Sequence, residues 1–141
     1  MSHATPCVGV FRAIARSTTE PDYVLEMLLA HDGVDLPYDD CIGVTYDEVR
    51  ADPDAALGKI VERYKAVEAQ CDAVVIVGSD YTDVGSPAEL GYNARIAANL
   101  GAPVLLVMSG RTGEAEKLGS SPARTPEEIG QITALALAEL A

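Results

Sequence analysis

The sequence predicts an α/β fold in which helices flank a mainly parallel sheet in three layers. Two apolar runs, Ala73–Val77 and residues 104–107, are rich in Val, Ile and Leu and contain no polar alternation. Such runs are typical of strands buried on both faces, as in parallel sheets. Helical patterns alternate with apolar runs along the chain, which is the order that layered α/β folds show. With 141 residues and no internal boundary, the chain predicts one domain, 1–141.

The segment between the two apolar runs carries the signals of a helix. Ser86 is a candidate cap, Pro87 fits the first helical position, and Glu89 completes a capping box. Gly101 suits the left-handed position that ends a helix. The apolar face is predicted to hold Leu90, Ala94, Ala97 and Ala98. Strand, helix and strand make a βαβ unit, and its loop 78–85 leaves the carboxyl end of a strand, where α/β sheets bind ligands.

The amino-terminal part predicts a further strand and helix. Residues 7–11 form a short apolar run that predicts a strand, followed by a polar loop over 12–19. Thr19 is a candidate cap for a helix over residues 20–30. That helix is predicted to use Val24, Met27 and Leu28 as its apolar face.

Two more helices are predicted on either side of the βαβ unit. Residues 42–46 are either a short strand or an extended loop, and Asp52-Pro53 then begins a helix. Its apolar stripe consists of Leu57, Ile60, Val61, Tyr64 and Val67. After a predicted loop over 112–124, Thr125 and Glu128 form a second capping box. The last helix is predicted to present Ile129, Ile132, Ala136 and Leu140 on one face.

Composition excludes several function classes. A net charge of −12 argues against nucleic acid and against anionic membrane surfaces, because both need clustered Lys and Arg. No apolar run reaches the roughly 18 residues of a membrane span, and the first residues show no signal-peptide pattern. Three cysteines without metal spacing favour reduced, buried thiols. The sequence therefore predicts a cytoplasmic protein with no metal and no cofactor.

No familiar catalytic motif is present. Neither form of Gly-rich phosphate loop occurs, so independent ATP hydrolysis is not expected. Ser79 follows a strand, but no helix starts directly behind it and no His partner is evident. Catalytic residues are therefore predicted to be absent.

The best candidate for a binding site is the loop 78–85. Ser79 lies at its start, and Asp80 and Asp83 either hold a divalent ion or order the loop through Asx turns. We favour the turn-forming interpretation, since two carboxylates in a Gly-flanked loop more often shape a turn. A second candidate is the pair Arg12 and Arg16, which either binds an anionic ligand or forms ion pairs within the domain.

Several segments resemble the N-terminal region of long, multidomain phosphate acetyltransferases, most closely the actinobacterial form. The resemblance lies in VGVFRAIAR (8–16), AVVIVGS (73–79), residues 93–109 and the helix over 124–141. That region is similar to dethiobiotin synthetase, a P-loop α/β fold. The resemblance covers nearly the whole chain from Cys7. It implies a partial domain, truncated at both ends, that lacks the strand carrying the phosphate loop.

The resemblance also implies where that strand would lie. In the family it is central, beside the strand equivalent to Ala73–Val77. Its loss is expected to rearrange the strand order or to leave an exposed edge, and exposed edges are templates for association. We therefore predict a dimer or a rearranged sheet.

Functionally, the resemblance implies a domain without its own chemistry. Arg12 stands where dethiobiotin synthetase has a substrate-contacting Lys, and Gly78 stands where it has an acidic residue. The family assigns this region to regulation and assembly, while a distant domain converts acetyl-CoA and phosphate into acetyl phosphate and CoA in acetate metabolism. The expected partners are a second copy, a small-molecule effector and the remaining domains of the parent enzyme. Two alternatives stay open: a stand-alone small-molecule or nucleotide-binding protein, and a self-associating scaffold.

Overall fold

The described residues form a sheet of three parallel strands. The structure is a computed structural model, and it describes residues 6–17, 19–31, 34–79, 88–107, 110 and 123–140. The strands are β1 (Val8–Ala15), β2 (Ile42–Thr45) and β3 (Ala73–Val77). They lie in the order β2-β1-β3, and both pairings are parallel. The predicted α/β fold with a parallel sheet is therefore confirmed.

Helices connect and cover these strands. They are α1 (Tyr23–Leu29), α2 (Tyr46–Ala51), α3 (Pro53–Glu68), α4 (Ala88–Leu100) and α5 (Pro126–Leu140), with a short 3₁₀ turn (Tyr38–Cys41) before β2. Within the described part of the chain, no helix has both the length and the apolar character that a membrane crossing requires.

β1 is the central strand, and it is longer than predicted. The sequence indicated a strand over 7–11 and a polar loop from Arg12 to Thr19, but residues 12–15 continue the strand. Both of its edges are paired, with Arg12 opposite Ile42 of β2 and Val8 opposite Ala73 of β3. Pairing on both sides satisfies the backbone and keeps the strand extended, which overrides the polar character of Arg12.

α3 supplies most of the core and was predicted well. Asp52 caps it by accepting hydrogen bonds from the backbone N–H groups of Asp54 and Ala55, and Pro53 occupies its first turn. The predicted stripe is largely confirmed, because Ile60, Tyr64 and Val67 are buried while Leu57 and Val61 are partly buried. The ring of Tyr64 meets Phe11 of β1 edge to face at 5.6 Å between centroids.

α1 differs from its prediction in both its start and its face. Its cap is Asp22 rather than Thr19, since the Asp22 carboxylate accepts from the backbone N–H of Leu25. Leu25 is the fully buried residue of the helix, whereas the predicted core residues Val24 and Met27 are exposed. α1 therefore packs on β1 through Leu25 rather than through Val24 and Met27.

The second predicted strand of the βαβ unit is absent. Residues 104–107 are not in a strand, and Leu105 is 88% exposed. β3 is also not buried on both faces as predicted, because Val75 is 51% exposed. Among the described residues no strand lies beyond β3, and an apolar run without a neighbouring strand has no ladder to join.

The remaining helices give mixed outcomes. α2 was not predicted, although Thr45 and Glu48 form a complete capping box at its start. In α4 the buried residues are Ile96 and Leu100, not the predicted alanines, and Gly101 takes the predicted positive φ of 66°. α5 has the predicted capping box, and its four predicted apolar positions are each partly buried.

Two predicted features fall largely on residues that the structure does not describe. Ser86 and Pro87 of the predicted helix start lie outside the described residues, and so do residues 112–122 of the predicted loop over 112–124.

Candidate functional site

The carboxyl ends of β1 and β3 meet around the side chain of Arg12. Arg12 is opposite Val77 in the β1–β3 register, one residue before Gly78. Its Nη1 donates to the carbonyl oxygen of Gly78 at 2.5 Å, and its Nε donates to a carboxylate oxygen of Asp22 at 2.9 Å. The two charged side chains are only 11% and 9% exposed. Arg12 therefore ties the end of β3 to the start of α1.

Asp22 joins three elements at this point. One carboxylate oxygen accepts from Arg12, and the other accepts from the backbone N–H of Leu25 at the start of α1. Its own backbone N–H donates to the hydroxyl oxygen of Tyr38 at 2.7 Å. Because both carboxylate oxygens are used, the Arg12–Asp22 pair forms a fixed contact between strand and helix.

Ser79 is held by Asn93 of α4. The amide oxygen of Asn93 accepts from the backbone N–H of Ser79 at 3.2 Å, and its Nδ2 donates to the Ser79 carbonyl oxygen at 3.1 Å. The Ser79 hydroxyl is also within 3.0 Å of Nδ2. A reactive serine needs a base within hydrogen-bond reach. An amide does not supply one, so the described contacts of Ser79 serve to position the chain.

Gly78 leaves room for a side chain. A Cβ built at this position would lie 3.4 Å from the Asn93 amide oxygen, which is ordinary van der Waals contact. Dethiobiotin synthetase has an acidic residue at the position that resembles Gly78. Packing around Gly78 would not exclude a side chain there.

The predicted site residues are only partly brought together. Arg12 and Ser79 flank Gly78, whereas Arg16 lies exposed beyond the end of β1, about 13 Å further along at the rise of an extended chain. Asp80 and Asp83 lie outside the described residues. Ligand binding by these five residues stays a prediction.

A cleft of about 420 Å³ lies on the other side of β1, along β2. Its charged lining consists of Lys59 and Arg63 against Glu20, Asp39 and Glu48. Two cations face three carboxylates, so the formal charge of the lining is −1. A nucleotide phosphate gains little from such a lining, because its affinity depends on uncompensated positive charge.

Both cations of this cleft already have partners. Lys59 Nζ lies 2.5 Å from a carboxylate oxygen of Glu48, and this hydrogen bond, with that from the Thr45 backbone, lowers the pKa of Glu48. Arg63 donates to the backbone carbonyls of Ile42 and Asp39. The cleft is therefore suited to a neutral or weakly charged ligand.

The sequence did not predict the residues that bond to Arg12 and Ser79, or those that form the wall of the cleft. Asp22 and Asn93 fix Arg12 and Ser79, and neither was singled out. Asp22 precedes an apolar segment, as capping residues do, and Thr45-x-x-Glu48 is a capping-box pattern that marks the cleft wall. Asn93 carries no comparable local signal. In the described part of the chain, no group of His, Cys, Asp and Glu side chains is arranged to hold a metal ion.

Comparison with known proteins finds a family model and curated relatives that match the chain. A family model described as an AAA domain matches residues 2–123. Phosphate acetyltransferase of Nitratidesulfovibrio vulgaris (strain Hildenborough) is 32% identical over 121 residues, which is 81% of this chain. The matched part is 17% of that relative, so the chain corresponds to a small portion of it. No solved structure matches the chain.

Proposed function

Because the chain belongs to the AAA-domain family, of the dethiobiotin-synthetase-like P-loop type, we propose that it is a non-catalytic regulatory and assembly domain of a phosphate acetyltransferase. The observation that carries this proposal is the 32% identity to a phosphate acetyltransferase over 81% of the chain. The parent reaction, reversible transfer of the acetyl group of acetyl-CoA to phosphate, would be carried out by another domain.

The contacts around Arg12 support a non-catalytic role. The cation that would meet an anionic ligand instead holds Asp22 and the Gly78 carbonyl. Ser79 faces an amide, and Gly78 offers no carboxylate. In this proposal the three positions keep β3, α1 and α4 in register, so that the domain presents a fixed surface to the rest of the enzyme.

An acetyl-transfer assay tests the proposal directly. The purified chain, supplied with acetyl phosphate and CoA, is expected to form acetyl-CoA no faster than buffer. The positive control is a full-length phosphate acetyltransferase under the same conditions. Turnover that rises with the concentration of the chain, and that survives further purification, would refute the non-catalytic assignment.

A small-molecule effector is the second part of the proposal. The cleft beside β2 has a volume of about 420 Å³, within the range of ligand sites, and both of its cations are engaged by neighbouring groups. Calorimetric titration is expected to show heat with neutral or weakly charged metabolites and none with ATP. Lys59→Met should alter that heat, whereas the exposed control Arg95→Met, on α4, should not. Tight ATP binding abolished by Arg12→Ala would favour the stand-alone nucleotide-binding alternative.

Self-association is a further candidate function, favoured by the edge of β3 that has no strand partner among the described residues. Within the described residues β3 has one strand neighbour and Val75 is 51% exposed, and the run 104–107 exposes Val104, Leu105 and Val107. An exposed apolar edge is a template for pairing with another strand. We therefore expect a concentration-dependent dimer in light scattering.

Two variants test whether the dimer forms through β3. Val75→Lys places a charge on the edge strand and should shift the chain towards monomer. Met27→Lys changes an equally apolar residue that is 64% exposed on α1, and it should leave the dimer intact. A wild-type chain that remains monomeric at high concentration would exclude the scaffold function.

A further inference from the structure

Two thiols lie side by side at the amino ends of β1 and β3. The Sγ of Cys7, directly before β1, donates a hydrogen bond to the Sγ of Cys71 at 3.4 Å. Both are free thiols, and both are partly buried rather than sealed in the core. Neither residue contacts the Arg12 region, which lies at the opposite ends of the same strands.

The backbone holds the two cysteines on paired segments. The backbone N–H groups of Asp72 and Ala73 donate to the carbonyl oxygen of Cys7 at 2.8 and 3.3 Å. In return, the backbone N–H of Cys7 donates to a carboxylate oxygen of Asp72 at 2.8 Å. These bonds extend the β1–β3 ladder past its first pair, Val8 and Ala73. The approach of the two sulfurs therefore follows from the sheet itself.

Gly9 provides the space that the Cys71 thiol fills. A Cβ at Gly9 would lie 2.8 Å from the Cys71 Sγ and 3.4 Å from its Cβ, closer than real contacts allow for the sulfur. The thiol thus lies over the β1 backbone, two residues from Cys7. A larger residue at position 9 would push the sulfur away from its partner.

We propose that Cys7 and Cys71 form a reversible disulfide that links the amino ends of β1 and β3. A disulfide has a sulfur–sulfur distance of about 2.05 Å, so the two atoms must approach by only about 1.4 Å. Side-chain rotation supplies a movement of this size without separating the strands.

The oxidant in this proposal is a low-molecular-weight disulfide. The Cys7 thiolate attacks one of its sulfurs, forms a mixed disulfide and releases the first small thiol. Cys71 then loses its proton and attacks the Cys7 sulfur, which expels the second small thiol. Two protein thiols become one disulfide, and their two electrons reduce the small disulfide to two thiols.

The order of attack follows from the surroundings of Cys71. Burial, followed by the hydrogen bond shared with the Cys7 thiol, raises the pKa of Cys71 to about 11. Cys71 is therefore protonated at neutral pH, and since the thiolate is the nucleophile, Cys7 reacts first. The second step is expected to speed up as pH rises.

Cys41 is an internal control for this chemistry. It is completely buried against Val10 and Leu25, in a separate cluster from the other two cysteines. Burial raises the pKa of its thiol, which also lowers its reactivity. The proposal requires that Cys41 remain a free thiol under conditions that link Cys7 to Cys71.

The test uses the complete chain in a series of reduced and oxidised glutathione buffers. After alkylation under denaturing conditions, the oxidised chain should carry one alkyl group, on Cys41, where the reduced chain carries three. A digest should contain one linked peptide pair, Cys7 with Cys71. Because the bond closes a loop between residues 64 apart, the oxidised chain should melt higher, by on the order of 10 °C.

Variants define the outcomes that overturn the proposal. Cys7→Ser and Cys71→Ser should each abolish both the mass change and the melting shift, whereas Cys41→Ala should keep both. If Cys41→Ala fails to fold, the peptide map of the unmodified chain still decides the question. Full alkylation of Cys7 and Cys71 in every oxidising buffer, or a link to Cys41 instead, would refute the pairing.

Discussion

The two sides of the central strand differ sharply, although both are built from apolar sequence. On one side, β1, β2 and α3 bury Phe11, Val44 and Ile60 completely. On the other side, Val75 of β3 is half exposed, and Leu105 is 88% exposed in a run that forms no strand. An apolar run thus becomes a buried strand where neighbouring elements cover its faces. The first side has such neighbours among the described residues, and the second does not.

The largest expected effect compares the cores of these two sides. Phe11→Ala should destabilise the chain by about 3–5 kcal/mol, because it removes a fully buried ring that packs edge to face on Tyr64. Leu105→Ala should change stability by less than about 0.5 kcal/mol, since the side chain is already in solvent. Urea unfolding measures both. Equal losses would show that the exposed run is packed in solution.

The next effect compares a protected ion pair with an exposed one. Arg12→Ala should cost about 3 kcal/mol, because it leaves the nearly buried Asp22 carboxylate without its cation. Arg95→Ala removes a pair with Asp54 whose side chains are 52% and 86% exposed, and it should cost less than about 1 kcal/mol. Arg12→Lys is the control for charge alone. The ranking is wrong if thermal denaturation shows similar losses for both alanine variants.

Two glycines provide a third comparison, of strand against helix surface. A Cβ at Gly43 in β2 would meet the backbone oxygen of Ala13 at 2.4 Å, so Gly43→Ala should destabilise by about 1–3 kcal/mol. A Cβ at Gly58 in α3 would meet nothing within 4 Å, so Gly58→Ala should stabilise the helix by about 1 kcal/mol. Denaturant unfolding should show that the free energy of unfolding falls for Gly43→Ala and rises for Gly58→Ala. A change of the same sign in both variants would contradict this comparison.

The smallest effect appears only at alkaline pH. Burial, and then the nearby Glu68 carboxylate, raise the pKa of Tyr64 above its ordinary value. A raised pKa leaves stability unchanged below about pH 10, the value in the unfolded chain, and stability then falls as pH rises through the folded value. Tyr64→Phe should therefore unfold less readily than the unmodified chain above that pH. Parallel pH profiles for the two proteins would contradict this.

Local signals in the sequence were sufficient for α3 and α5 but not for the sheet. A cap, a proline and a periodic stripe act within one helix, so Asp52 and the residues after Pro53 predicted α3 correctly. Strand formation depends on neighbours distant in sequence. Local apolarity therefore predicted a strand at 104–107 that is absent, and the polar Arg12 concealed the second half of β1.

The sequence predicted where the candidate site lies in the fold, but it did not predict which residues bond to one another there. The rule that ligands of α/β sheets bind beyond the carboxyl ends of strands led to Arg12 and Ser79, which do lie near each other there. Their partners are 10 and 14 residues away in sequence. Pairing over such separations is set by how α1 and α4 pack on the sheet, and one sequence does not encode it in a local pattern.

Arg63 distinguishes the two outer strands of the described sheet, β2 and β3, as places where a further strand could pair. It donates to the backbone carbonyl of Ile42, the first residue of β2, and to that of Asp39 in the turn before it, so a backbone acceptor at the start of this strand is already used. A subunit with two open edges adds copies without limit and forms a filament, whereas one with a single open edge stops at a closed pair. If copies associate through β3, as proposed, Arg63 is expected to disfavour growth at β2 and so to favour an assembly that ends at two.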